Sequence, residues 1–183
     1  MTLGSSQSTV DVLPLYPTLW EEMQAHAVPL LLDLIASKHQ GGRYYGLLDF
    51  LPTLLEDSKD DDCLRITTDA FANAFLATQA FKDPARDPHS SSIYRKALRE
   101  LSKAIACQRD CSEDKTLAAI WILGKYEMLV ASPEKDEILG PQAWHYHVDG
   151  LVSLIRLRGR AQFSTRRGRK IFWETIGLLV CPN

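Results

Sequence analysis

The chain is poor in cysteine and has no long apolar run. It holds four cysteines among 183 residues, namely Cys63, Cys107, Cys111 and Cys181. Four scattered thiols exclude a disulfide-stapled scaffold in a chain this size, and they are expected to stay reduced in an intracellular setting. No Cys-x-x-Cys occurs. Cys107 and Cys111 stand four apart near a helix end and could share a face, but two thiols are only half of a structural zinc site. Buried or incidental cysteines are the simpler reading, and no metal is expected. The longest apolar run, Leu117 to Gly124, falls far short of the roughly 20 residues that span a bilayer, so no membrane partner is expected. Met1-Thr2-Leu3-Gly4-Ser5-Ser6 has neither the basic region nor the apolar core of a secretory signal. Also missing are Gly-x-Gly-x-x-Gly, a Walker loop, Gly-x-Ser-x-Gly and His-Glu-x-x-His. No catalytic residue and no cofactor are therefore expected, and Cys181 has no identified base to activate it.

What the chain does have is the composition of an ordinary globular protein, 45% apolar and 24% charged. Its formal net charge of -2 argues against a surface that coats nucleic acid. The charge is unevenly placed. Residues 1–150 carry 14 Lys+Arg and 22 Asp+Glu, a balance of -8, whereas residues 151–183 carry seven Lys+Arg and one acid, a balance of +6.

Apolar spacing predicts helices throughout and no alternating strand. Residues 1–16 read as a poorly ordered arm, followed by a single all-α domain over 17–183. Trp20, Met23, Ala27, Leu30, Leu31, Leu34 and Ile35 form the first helical stripe, which Pro29 either kinks or splits in two, and Gly41-Gly42 ends it. A short helix is predicted from Tyr44 to Leu55, then an acidic loop over 57–62, then a third helix over 64–80. Ser92 is read as the N-cap of an amphipathic fourth helix. The fifth begins at Ser112, Glu113 and Asp114, and from Leu117 it is apolar on nearly every side, broken only by Lys125 and Glu127. A helix without a wet face belongs at the centre of a core. The sixth points Trp144, Val148, Leu151, Val152 and Ile155 inward and ends at Gly159. The seventh starts near Gly168 and buries Ile171, Phe172, Ile176 and Leu179. The fold expected is an irregular all-α array of about seven helices.

His145, His147 and Asp149 invite a metal reading. Residues two apart on a helix point roughly 200° from each other, so the two histidines cannot chelate one ion, although His145 and Asp149 could pair on the surface. The basic group Arg166, Arg167, Arg169 and Lys170 reads either as a nuclear-import or phosphate-contacting patch, or as solvated cations beside a helix end.

The ordered series Ile93-Tyr94-Arg95-Lys96-Ala97-Leu98, Thr116-Leu117-Ala118-Ala119 through Tyr126-Glu127, Trp144-His145-Tyr146-His147-Val148-Asp149-Gly150, Leu157-Arg158-Gly159-Arg160 and Gly168-Arg169-Lys170-Ile171-Phe172 resembles the helical regulatory domain of fungal zinc-cluster transcription factors. The likeness is strongest over 93–172. It implies transcription regulation, a nuclear location and no enzyme activity. It also implies structural roles for Trp144, His147 and Gly150, with the tryptophan filling the core and the glycine admitting a neighbouring helix, and for Leu157, Arg158 and Gly159. That family's DNA-reading module needs six cysteines around two zinc ions, and four cysteines cannot build it. The resemblance implies further helices past Asn183, so the chain looks truncated, or like a gene remnant. The expected partners are proteins, possibly the chain itself or a full-length relative, with no specific DNA binding by this chain alone. The alternative to a partial regulatory domain is a helical interaction module, deficient in DNA binding, that modulates a full-length relative.

Overall fold

Prolines mark where the helices begin, because a first-turn residue has no helical partner for its N–H and loses nothing by lacking one. The computed structural model describes residues 21–35, 37–38, 44–45, 48–81, 88–130 and 140–180. Helix α1 is Ala27–Ile35, α2 is Leu51–Glu56, α3 is Cys63–Phe81, α4 is Pro88–Ala106, α5 is Asp114–Val130, α6 is Gly140–Arg158 and α7 is Arg166–Val180. Pro29, Pro52, Pro88 and Pro141 each sit within the first three residues of α1, α2, α4 and α6. A further helical segment, residues 21–25, precedes α1, so eight helices occur among the described residues where about seven were expected. The fold is all-α.

Two boundaries differ from expectation for the same reason, and the alternative left open at Pro29 is resolved. The stripe around Pro29 is two segments, separated by a turn at His26. The helix read from Tyr44 does not start there. Tyr44–Tyr45 instead pairs antiparallel with Ser37–Lys38, in the register Ser37 to Tyr45 and Lys38 to Tyr44, and α2 waits for Leu51, just ahead of Pro52. Ser92 is not a cap, since α4 starts at Pro88 and carries the serines inside its first turns. The expected arm over 1–16 and the Gly41-Gly42 stop lie outside the described residues.

Helix α5 is covered all round. Every residue from Thr116 to Gly124 is buried, and so is Tyr126. It packs on α3 and α6, with shorter contacts to α2, α4 and α7. Helix α3 is the second central element. Ala70, Ala72, Ala74 and Ala77 are fully buried, and such small side chains let α4 and α5 lie close on either side. Thr67 and Thr68 are buried too, with their hydroxyls donating to the carbonyls of Cys63 (2.6 Å) and Leu64 (2.8 Å), so the interior leaves neither donor unpaired. Helix α1 closes one side of α3, where Ala27 and Leu31 meet Ala72, Phe71 and Phe75.

The acidic loop is part of the frame. Asp62 accepts from the Leu64 N–H at 3.0 Å, capping α3, while its other oxygen meets Lys115 Nζ at 2.8 Å. That hydrogen bond holds the Lys115 pKa above its ordinary value. A single carboxylate thus ties the start of α3 to the start of α5.

Between α6 and α7 the chain turns through a 3₁₀ segment, Gly159–Phe163. Gly159 has φ +60°, the left-handed conformation that ends helices and favours glycine. Thr165 caps α7, accepting from the Gly168 N–H at 2.9 Å, so α7 starts two residues before Gly168. A Cβ on Gly168 would lie 2.3 Å from the backbone oxygen of Gln162. Since that oxygen belongs to the turn itself, Gly168→Ala is expected to lower stability by about 1–3 kcal/mol. Urea unfolding followed by circular dichroism checks this, and an unchanged midpoint would refute it.

Candidate functional site

The charged interruptions of α5 are where its neighbours are fixed. Glu127 accepts a hydrogen bond from the Tyr94 hydroxyl of α4 and lies 4.0 Å from His147 Nε2 of α6. Tyr94 stacks on Tyr126 at 4.4 Å between centroids. Burial, reinforced by Glu127, raises the Tyr94 pKa and keeps the phenol protonated as a donor. Burial lowers the His147 pKa, and the Glu127 charge opposes that shift in part. His147 is therefore a packed, mostly neutral imidazole that joins three helices through one carboxylate. His145 and Asp149 are exposed on the other side of α6.

One turn earlier on α5, Lys125 Nζ sits 5.2 Å from the Trp121 ring centroid and 5.3 Å from that of Trp144. This is cation–π distance to both rings. Burial lowers the lysine's pKa, whereas the facing π-clouds favour its charged form. Trp121 is buried and Trp144 half-buried. The close approach of α5 and α6 occurs at Gly124, where a Cβ would stand 2.9 Å from Trp144 Cζ3. Gly150 does not have that role. Nothing lies within 4 Å of the position its Cβ would take. Trp144 and His147 lie against α5, with Trp144 half-buried rather than filling the core, and the glycine at the close approach belongs to α5.

The Leu157-Arg158-Gly159 corner divides its labour. Arg158 Nη1 approaches Asp114 Oδ1 to 2.6 Å, both side chains being mostly buried, although the contact is misaligned for a hydrogen bond. It joins the last residue of α6 to the first of α5, with the cation at a helix C-terminus and the anion at an N-terminus, as the helix dipoles favour. Gly159 supplies the left-handed turn. Leu157 is 68% exposed and has no core role.

The basic group is folded back onto the body. Asp49, nearly buried, accepts Lys170 at 2.8 Å and Arg166 at 3.6 Å. Asp57 faces Arg167 at 3.8 Å, and Arg169 Nη1 donates to the Phe163 carbonyl at 2.8 Å. The carboxylate contacts clamp the start of α7 to residues on either side of α2, Asp49 before it and Asp57 after it, and answer the mismatch of cations at a helix N-terminus. Arg156 and Arg160 are exposed and have no carboxylate partner among the described residues.

The remaining candidates do not converge. Cys107 is exposed and Cys111 buried, with the Cys111 thiol donating to the Gln108 carbonyl at 3.4 Å. Burial and the adjacent Asp62 push the Cys63 thiol up to about 12, so it is inert as a nucleophile. A cleft of about 400 Å³ beside Asp62 is lined by six carboxylates and three lysines. Among the described residues no three His, Cys, Asp or Glu side chains are placed to hold a metal ion, and no helix is long and apolar enough to cross a membrane.

Sequence reading missed Tyr94, Gly124, Lys125 and Glu127 as the contacts of the motif. The signal was there in part, since two charges inside an otherwise apolar helix need partners.

The model of the fungal specific transcription factor domain family matches residues 37–176, and the chain belongs to that family, which is a transcription factor domain family and not an enzyme family. The chain is also 26% identical over 112 residues to an uncharacterized protein of Emericella nidulans, an alignment covering 61% of this chain and 21% of that protein. The chain thus matches about a fifth of that relative's length. No solved structure matches.

Two measurements test the site. Gly124→Ala is expected to destabilise by about 1–3 kcal/mol, because the new methyl displaces the Trp144 ring. Gly150→Ala is expected to stabilise by up to about 1 kcal/mol, because alanine is the better helix former and meets nothing. Equal effects in urea titrations would refute the assignment.

For His147, whose folded pKa is depressed, the unfolded chain binds the proton more readily. Stability attributable to this group is therefore fully present above the ordinary histidine pKa of about 6.5 and falls as the pH drops through and below it. His147→Gln is expected to flatten this part of the stability profile. Chemical denaturation at neutral and mildly acidic pH checks it, and a slope equal to that of the unaltered protein would refute it.

Proposed function

We propose that this chain is a regulatory module of a transcription regulator, acting in the nucleus through protein contacts, without catalysis and without reading DNA sequence itself. The family match over residues 37–176 carries the proposal. Four cysteines cannot form the six-cysteine zinc cluster, so these residues supply no metal frame for a recognition helix. The cations that first suggested a phosphate or import patch support the same reading. Arg166, Arg167 and Lys170 face Asp49 and Asp57, which would repel an approaching phosphate, and within that group only Arg169 has no carboxylate partner among the described residues.

The test separates regulation from DNA reading. Fused to an unrelated DNA-binding domain in a fungal host, the chain is expected to change the output of a reporter bearing that domain's site. The purified chain alone is expected to leave no footprint on duplex DNA at physiological salt. A reporter indifferent to the chain at equal fusion level would overturn the regulatory reading, and a sequence-specific footprint would overturn the claim that it does not read DNA.

A further inference from the structure

We propose that the outer face of α7 and the adjoining 3₁₀ turn form a docking surface for an acidic protein segment carrying aromatic or long aliphatic side chains. The inference rests on the regulatory reading above and names the surface through which it would act.

The apolar part of the surface is two aromatic rings facing solvent. Trp173 is 65% exposed and Phe163 is 44% exposed. Both pack edge-to-face on the half-buried Phe172, at 5.0 Å for Phe163 and 5.4 Å for Trp173. Both rings thus share Phe172 as a neighbour. Tryptophan and arginine are the residues that most often dominate binding energy at interfaces.

The charged part is one-signed. Positions 166, 169 and 173 recur at three and four residues and so share one helical face, which aligns Arg166 and Arg169 with Trp173. Arg169 is anchored beside Phe163 through the Phe163 carbonyl, at 2.8 Å. Arg160 lies three residues before Phe163 on a 3₁₀ turn, where side chains at that spacing eclipse. Arg160 and Arg169 have no carboxylate partner among the described residues. The one acid after residue 150, Glu174, is half-buried and interacts with Lys170 and Lys125 rather than with these arginines. Unneutralised guanidinium groups beside exposed indole and phenyl rings complement carboxylates interspersed with apolar side chains.

Aromatic rings and arginines also stack on nucleobases. A single-strand platform, however, needs a continuous positive groove along the backbone, and on this face only Arg160 and Arg169 lack a carboxylate partner among the described residues, too few to track a run of phosphates. The acidic protein segment is therefore the better match.

The experiment uses the whole chain and a fluorescent helix-forming probe peptide of aspartates, with phenylalanine and leucine at i, i+3 and i+7. Fluorescence anisotropy is expected to show saturable binding that weakens as salt rises. Trp173→Ala and Arg169→Glu are each expected to weaken it roughly tenfold or more, and Trp173→Phe less. Both altered side chains are exposed, and circular dichroism checks that the helices persist. A matched probe with lysine in place of aspartate is expected not to bind. The proposal fails if the acidic probe does not bind, if binding ignores Trp173 and Arg169, or if single-stranded oligothymidine binds as tightly and with the same dependence. A reporter effect that survives Trp173→Ala and Arg169→Glu would sink this surface while leaving the regulatory reading in place.

Discussion

The structure depends on the burial of α5 on every side. A helix whose residues from Thr116 to Gly124 are all buried cannot rest on a single partner, because an uncovered apolar face returns its hydration cost to the folded state. It therefore requires neighbours around its whole circumference, and the chain supplies α3 and α6 against it with α2, α4 and α7 completing the shell. The polar contacts gather where α5 stops being uniformly apolar. At its start, Asp114 and Lys115 engage Arg158 and Asp62. Toward its end, Lys125 meets Trp121 and Trp144, and Glu127 meets Tyr94 and His147. The apolar middle supplies the bulk of the stabilisation, and the charged ends set which helix lies where.

That arrangement explains why the family motif lies on helices far apart in sequence. Trp144, His147 and Arg158 are three contacts of one helix with another, distributed along α6 so as to fix its angle and register on α5. The partners on α5 are small or charged for physical reasons. Gly124 leaves room for the indole. Lys125 offers a cation to two rings. Glu127 accepts from the Tyr94 hydroxyl and sets its charge 4.0 Å from the imidazole. Replacing one of these side chains would disturb the packing of α6 on α5.

Much of this was legible in the sequence, with two systematic gaps. The apolar period located every long helix, and the all-round apolarity of α5 correctly marked it as central. The first gap concerns alanine. Helix α3 is as buried as α5 along Ala70, Ala72, Ala74 and Ala77, yet alanine contributes weakly to an apolar stripe because its burial removes little surface from water. The second concerns starts. Proline was read as an interruption at Pro29, the helix holding Pro52 was started too early at Tyr44, and Ser92 was read as a cap, whereas proline in each case lies in a first turn where its missing N–H costs nothing. Within the motif, Gly159 was assigned correctly because a helix end demands φ above zero and glycine follows directly. Gly150 was assigned a close approach that belongs to Gly124, since a glycine's neighbour lies on another helix and nothing in local spacing names it.

The exposed side chains follow from the same geometry. Once Ile171 and Thr175 are buried under α7, helical periodicity turns Arg166, Arg169 and Trp173 outward. The cations that would have been free on that helix are divided by their reach. Arg166, Arg167 and Lys170 lie near enough to Asp49 and Asp57 to be clamped, while Arg169 is drawn to the Phe163 carbonyl. The clamp holds α7 against the body, and in doing so it fixes the direction in which Trp173 points. The ion pairs that remove most of the basic group from the pool of free charges hold the start of α7, and Trp173 stands exposed on the same helix face as Arg169, which donates to the Phe163 carbonyl.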